Sequence, residues 1–243
     1  MKRVLGTLCV GLLSTMFAAC GGGGGGGGGP AAKPGTVNRQ GAASVITTTG
    51  SLKTAVEGGD GSSLSGATIS LGLSGAQQIV QPGAAAGALT AVMSALSQPG
   101  PNGGTVDCTD TGCVYADYKT GTTTLNGSVK SAKAGETTTV TADLTIKQPA
   151  QTAMQGDVNW KVSGSIDFGA GSIDGQLTST AKSSITYAGQ TISYDYFNLI
   201  DYRALVIGAT GATGGEIYAK WAITVAGVPQ GSQAYDGTVK FPQ

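Results

Sequence analysis

Few residues have the means to do chemistry, and spacing decides what each can do. Ser179-Thr180-Ala181-Lys182 has the Ser-x-x-Lys interval in which an amine takes a hydroxyl proton, a geometry that needs both side chains on one helical face. Here the stretch alternates as a strand, so residues three apart point to opposite sides and the pair is structural. Ala204 to Gly214 has the outline of a strand followed by a phosphate-cradling glycine turn. The next residues, Glu216 to Ile223, alternate as a strand where a helix would have to open, and too little chain remains for a second parallel strand. That stretch is read as a hairpin loop. Asp167 and Asp174 flank one turn, and Asp107 and Asp110 lie beside Cys108, but each loop supplies far fewer than the six oxygens that calcium takes. The sequence therefore predicts a protein without catalytic residues, metal or cofactor.

Composition narrows the chemistry further. None of the 243 residues is histidine. Serine and cysteine triads with an imidazole base are excluded, as are zinc sites that use imidazole. The formal net charge is zero, and two units negative once Lys2 and Arg3 are removed. No basic field exists to hold nucleic acid. Charged residues make up only 12% of the chain while glycine alone contributes 42 residues, a balance that suits an exported β protein.

Cys108 and Cys113 flank Thr109-Asp110-Thr111-Gly112, which has the composition of a tight turn. A disulfide across a hairpin mouth follows, worth about 2 kcal/mol on loop entropy. Aromatic residues concentrate late in the chain, at Tyr194, Tyr196, Phe197, Tyr202, Tyr218 and Trp221, where they offer a surface for sugar or peptide. Alternation places Tyr194, Tyr196 and Tyr202 with Ile192 and Ile200, on the core side. Phe197 and Leu199 fall on the other face and form the candidate binding surface.

The elements that must position these groups are mostly strands. Thr105–Cys108, Cys113–Lys119, Thr123–Ser131, Thr138–Lys147, Val158–Phe168, Ile173–Tyr187, Thr191–Ile207, Glu216–Val225 and Tyr235–Phe241 alternate apolar with polar residues and are joined by hairpin-sized connections. The expected fold is mainly β: an antiparallel meander of about nine strands curling into an open or closed barrel, with one helix packed on it. That helix is predicted over Ala84–Gln98, bounded by Pro82-Gly83 and Pro99-Gly100-Pro101. Ala67–Leu73 alternates and is predicted as a strand. Gly127, Gly164 and Gly175 dilute the apolar face, which speaks for sheet curvature and against contact with lipid by a membrane-spanning barrel.

The N-terminus carries an address. Lys2 and Arg3 precede an uncharged stretch from Val4 to Phe17, too short to span a bilayer, and small residues lead to Cys20. Phe17-Ala18-Ala19-Cys20 resembles the lipobox of bacterial lipoproteins, with Phe17 where leucine is usual. The resemblance implies that residues 1–19 are removed and that Cys20 becomes an acylated first residue, held in the membrane by more than one chain. Gly21 after Cys20, where aspartate would argue for the inner membrane, implies the outer membrane. Gly21 to Gly29 and the Pro/Ala/Gly residues beyond read as a random-coil tether up to about Gly41. Residues 42–243 then form one β-rich domain, with a helix-containing part over 42–103 and the meander over 104–243.

Two functions follow from this organisation. The first is an outer-membrane lipoprotein with a non-enzymatic binding, scaffolding or envelope-structural role, its partner a protein of unspecified identity. The second is a carrier of lipid or another hydrophobic ligand, since a curved sheet beside a helix resembles the half-barrels of bacterial lipoprotein-localisation factors at the level of fold. A filled sheet interior with an exposed contact patch favours the first, and a large apolar cavity the second.

Overall fold

Period-two alternation builds nearly the whole molecule. The structure is a computed structural model that describes residues 32–80, 103–150, 157–187, 190–226 and 232–242. Its strands are β1 (Lys33–Pro34), β2 (Gly103–Thr109), β3 (Gly112–Thr120), β4 (Thr123–Ala134), β5 (Thr137–Gln148), β6 (Val158–Phe168), β7 (Ile173–Tyr187), β8 (Gln190–Gly208), β9 (Gly211–Ala226) and β10 (Gln233–Phe241). They form one sheet in the order β1-β10-β9-β8-β7-β6-β5-β4-β3-β2, antiparallel except for the short β1–β10 pair. The meander from β2 to β10 matches the expected series of strands. The sheet is curled and open, with β1 and β2 as its two edges.

Four of the hairpins turn on two residues each: Asp110-Thr111, Gly121-Thr122, Gly135-Glu136 and Ala209-Thr210. Two-residue loops fix register, and register fixes which face each side chain takes. The inner face carries Leu125, Val129, Leu144, Ile146, Trp160, Val162, Ile166, Leu177, Ile200, Tyr202, Ile217 and Trp221, all buried. The outer face carries Thr124, Lys147, Asn159, Lys161 and Lys182, the opposite of a lipid-facing band.

Two helices cover the inner face: α1 (Arg39–Gly58) and α2 (Gly61–Val80). Asn38 caps α1, its side-chain oxygen accepting from the amides of Gln40 and Gly41, and Gly59 ends it in the left-handed conformation. Asp60 begins α2, accepting the Ser63 amide at 3.0 Å and the Ser63 hydroxyl at 2.6 Å. Those hydrogen bonds hold its carboxyl below the usual carboxylate range.

Three sequence expectations change here. Ala67–Leu73 lies inside α2 and is not a strand. Leu64, Thr68, Leu71, Gly75 and Ile79 recur at helical spacing, and α2 is buried on most sides because it runs between the sheet and α1, so its apolar residues mimic a short alternating run. Second, the described residues hold two helices where one was expected, and the expected helix over Ala84–Gln98 lies outside the described residues. Third, order begins before residue 42. Lys33 pairs with Tyr235, the Gly35 amide donates to the Asp236 carbonyl at 2.7 Å, and Gly41 is buried against α2, where a Cβ would stand 1.9 Å from the Gln78 carbonyl oxygen.

Close approach sets the thickness of the domain. A Cβ on Gly72 would come within 2.5 Å of Val162 Cγ1, and one on Gly75 within 2.8 Å of Ile200 Cδ1. Missing side chains on α2 thus let it settle onto β6 and β8, and the inner face is filled by packed side chains.

Candidate binding surface

The late aromatic residues divide between the two faces as alternation requires. Tyr202 is fully buried beneath α1, where Thr49 Oγ1 lies 2.9 Å from its hydroxyl. Thr49 spends its only proton on the Val45 carbonyl at 2.8 Å, so the tyrosine is the donor. Burial raises the Tyr202 pKa. Trp160 and Tyr196 meet with ring centroids 5.8 Å apart, and Tyr194 stacks on Tyr196 at 6.3 Å. Burial, with the neighbouring Tyr194, pushes Tyr196 up to about 12. Trp221 stacks on Tyr235 at 6.0 Å.

Phe197 and Leu199 lie on the outer face of β8, both half-buried. Register places Phe197 beside Ala222, and Leu199 in a row with Lys220 and Asp236. The Lys220 ammonium stands 5.8 Å from the Phe197 ring centroid. One row along, the Arg203 guanidinium lies 5.2 Å from the Tyr218 ring, and the Tyr218 hydroxyl donates to Asp236 Oδ2 at 3.1 Å. Partial burial raises the Tyr218 pKa, and the Asp236 carboxylate raises it further by favouring the protonated phenol. Arg203 also donates to Asp201 at 2.8 Å and to Glu216 at 3.1 Å, while Lys240 sits 3.9 Å from Glu216. The result is a flat patch on β8, β9 and β10 in which rings lie under cations and most charges are paired across strands. Its chemistry is contact, through apolar area and a rim of ion pairs, with no nucleophile activated by a base.

Comparison with known proteins gives no matching family model, no matching curated protein and no matching solved structure. The patch therefore stands on its own geometry.

The other sequence candidates fall as follows. Cys20 lies outside the described residues. Cys108 and Cys113 form the expected disulfide across the β2–β3 hairpin, with Cys113 buried and its Sγ 3.4 Å from the Gly61 carbonyl oxygen. The bridge holds the hairpin against the first turn of α2. Reducing it is expected to cost about 2 kcal/mol of unfolding free energy, read as a lower urea midpoint with reductant than without.

Ser179 and Lys182 point to opposite faces. Ser179 is buried and accepts from the Asn198 amide at 3.2 Å, while Lys182 is exposed. The glycine-rich stretch from Ala204 is the end of β8 and its hairpin into β9. Asp174 spends its carboxylate locally, accepting the Ala204 amide at 2.7 Å and the Ser172 hydroxyl at 2.9 Å. Among the described residues no group of three or more metal-ligating side chains comes together.

One feature escaped the sequence reading. A cleft of about 940 Å³ lies between α1 and the tip of the β8–β9 hairpin, bordered by Thr47, Ser51, Thr54, Asp60 and Ile207. The hydroxyls of Thr47, Ser51 and Thr54 donate back to carbonyls one turn earlier in α1, which leaves them only acceptor capacity toward a ligand. Their i, i+4, i+7 spacing was the available signal.

Proposed function

We propose that the chain is a lipid-anchored protein of the bacterial outer membrane, whose β domain acts without catalysis as a binding or envelope-scaffolding module through the outer face of β8–β10. The observation that carries this reading is the contrast between the two faces of the sheet. The inner face is occupied by α1 and α2, packed to the distance that Gly72 and Gly75 allow. Across the sheet, the outer face leaves Phe197 and Leu199 half-exposed beneath Lys220. Anchoring at Cys20 rests on the lipobox resemblance.

The test has two arms in intact cells. Cys20→Ala should abolish incorporation of labelled palmitate and let high salt release the protein from the membrane; a variant that stays labelled and resists release by salt defeats the anchor. A photo-cross-linking residue at Phe197 should give a discrete adduct that the same residue at Thr139 does not. Equal adducts at both positions, or none, defeat the contact surface.

A second reading, a carrier of a hydrophobic ligand, is favoured by one corner of the inner face. Trp160 is only 5% exposed, its indole N–H has no hydrogen-bond partner, and Tyr196 and Tyr194 stack beside it. A ligand with an apolar body and one acceptor would satisfy that N–H. Native mass spectrometry of detergent-free protein separates the readings: a stoichiometric, extractable lipid mass supports the carrier, and a bare mass supports the binding module.

A further inference from the structure

Charge is distributed unevenly along the strand axis, and the chain enters the sheet at one extreme of that distribution. On the outer face, register aligns Lys119, Thr124, Lys147, Asn159, Lys182 and Asp195 in one row across β3 to β8. Three lysines thus stand on alternate strands, about 10 Å apart at the usual strand spacing. Lys161 occupies the next row, between Thr145 and Thr180. All four are exposed, and among the described residues none of them has an ion-pair partner within 4.0 Å. Among the described residues of the connections at this pole, 121–122, 149–150, 157 and 232, only Asp157 carries a charge. With Lys33 of β1 added, five lysines stand against three carboxylates, Asp117, Asp157 and Asp195. The opposite pole gathers Glu57, Asp60, Asp110, Glu136, Asp167 and Asp174 around the α1–α2 junction and the other hairpin turns.

Direction of entry is set by β1. Lys33 pairs with Tyr235 and Pro34 with Asp236 in parallel, so the chain preceding Lys33 comes from the side of Gln233, which is the lysine pole. Gly21 to Ala32, the part of the expected tether that precedes β1, would as a glycine-rich coil have a reach of about 20 Å, short enough to keep this pole next to whatever holds Cys20.

We propose that the lysine pole is a second, electrostatic membrane contact: Lys119, Lys147, Lys161 and Lys182 dock the domain on anionic phospholipid headgroups and set its orientation relative to the bilayer. The proposal rests on the membrane-anchored reading above and adds the surface that meets the membrane. Lipid headgroups are the occupant that both observations select, because the unpaired cations and the incoming tether share one pole. The acidic pole is thereby turned away, and Phe197, in the row of Lys161 two strands over, lies at the margin of the docked surface. One lysine near an anionic surface strengthens binding about fivefold, so three together give ~100-fold.

The experiment uses the full mature chain with Cys20→Ser, which cannot be acylated, and co-sedimentation with vesicles of phosphatidylcholine alone or mixed equally with phosphatidylglycerol. Binding is expected to the anionic vesicles only, and to weaken as salt rises. Lys147→Gln/Lys161→Gln/Lys182→Gln should weaken it ~100-fold. Lys130→Gln/Lys133→Gln, at the acidic pole, should leave it within about twofold of the parent. The far-ultraviolet circular dichroism of each variant establishes that it is folded, and these surface positions tolerate the change. Absence of binding to anionic vesicles at low salt, equal binding by the triple variant, or equal weakening by the acidic-pole pair would each overturn the proposal. Because the probe carries no lipid, failure of acylation at Cys20 leaves this result untouched, and failure here leaves the anchor untouched.

Discussion

Gly164→Ala is expected to lower the thermal midpoint of the domain by about 6–12 °C. Gly164 lies mid-strand in β6 with φ at +139°, a backbone that side-chain-bearing residues rarely adopt, and a Cβ there would stand 2.2 Å from the Gln176 carbonyl oxygen of β7. The alanine must either strain the backbone or push two central strands apart, at a cost of about 3 kcal/mol. Gly127 makes the same close approach to Asp143 of β5, so the curl of the sheet depends on glycines staggered from row to row on its inner face. Gly171→Ala is the control, since Gly171 sits in a turn with nothing within 4 Å of its Cβ position. Melting curves that superimpose for Gly164→Ala and the parent would show that the strands do not approach as described.

Alkali is expected to unfold the domain from about pH 10 upward, with stability falling by about 1.4 kcal/mol per pH unit for each of two tyrosines. Tyr202 and Tyr196 both have their pKa raised in the folded chain, chiefly by burial, and Tyr196 reaches about 12. The unfolded chain gives up these protons near pH 10 while the folded chain keeps them. Stability from this source is therefore complete below the unfolded pKa and is lost as pH rises through the folded values. Tyr202→Phe should take about 1.4 kcal/mol per pH unit off the slope above pH 10 while costing about 1 kcal/mol at neutral pH, where the hydrogen bond to Thr49 is lost. Urea titrations across the alkaline range read both effects. A slope unchanged by Tyr202→Phe would mean that this hydroxyl is not sequestered in the folded state.

Strands and their faces were legible because alternation is a local property. Each of β4 to β6 repeats with period two, and the two-residue turn between β4 and β5 leaves no slack for slippage there, so Val140, Leu144, Trp160 and Val162 point inward without reference to anything distant. The outward placement of Phe197 and Leu199 came from the same rule. The ring–cation pairs did not, because Lys220 reaches Phe197 only through the β8–β9 register, and that register shifts between Arg203 and Val206. At that bulge Ala204 takes a φ of 49°, held by Asp174 from thirty residues earlier.

Helices were harder to read. Ala42, Val45, Thr49, Leu52 and Ala55 carry α1 at the right spacing between Asn38 and Gly59, but its threonines and glycines are poor helix formers, and packing against α2 and the sheet supplies what propensity lacks. In α2, Ala67–Leu73 satisfies a strand pattern over seven residues and a helix pattern over twenty. A short window could not separate them.

By itself the sequence determined the exclusion of histidine chemistry, the disulfide hairpin, the strands of the meander and the face on which each of their side chains lies, all consequences of residue type or of neighbours a few positions apart. Only the tertiary structure decided that two helices fill the inner face, that rings on the outer face sit under cations, and that lysines from β3, β5, β6 and β7 gather at the pole where the chain enters. Those arrangements join residues tens of positions apart, and the strand register that brings them together belongs to the folded sheet as a whole.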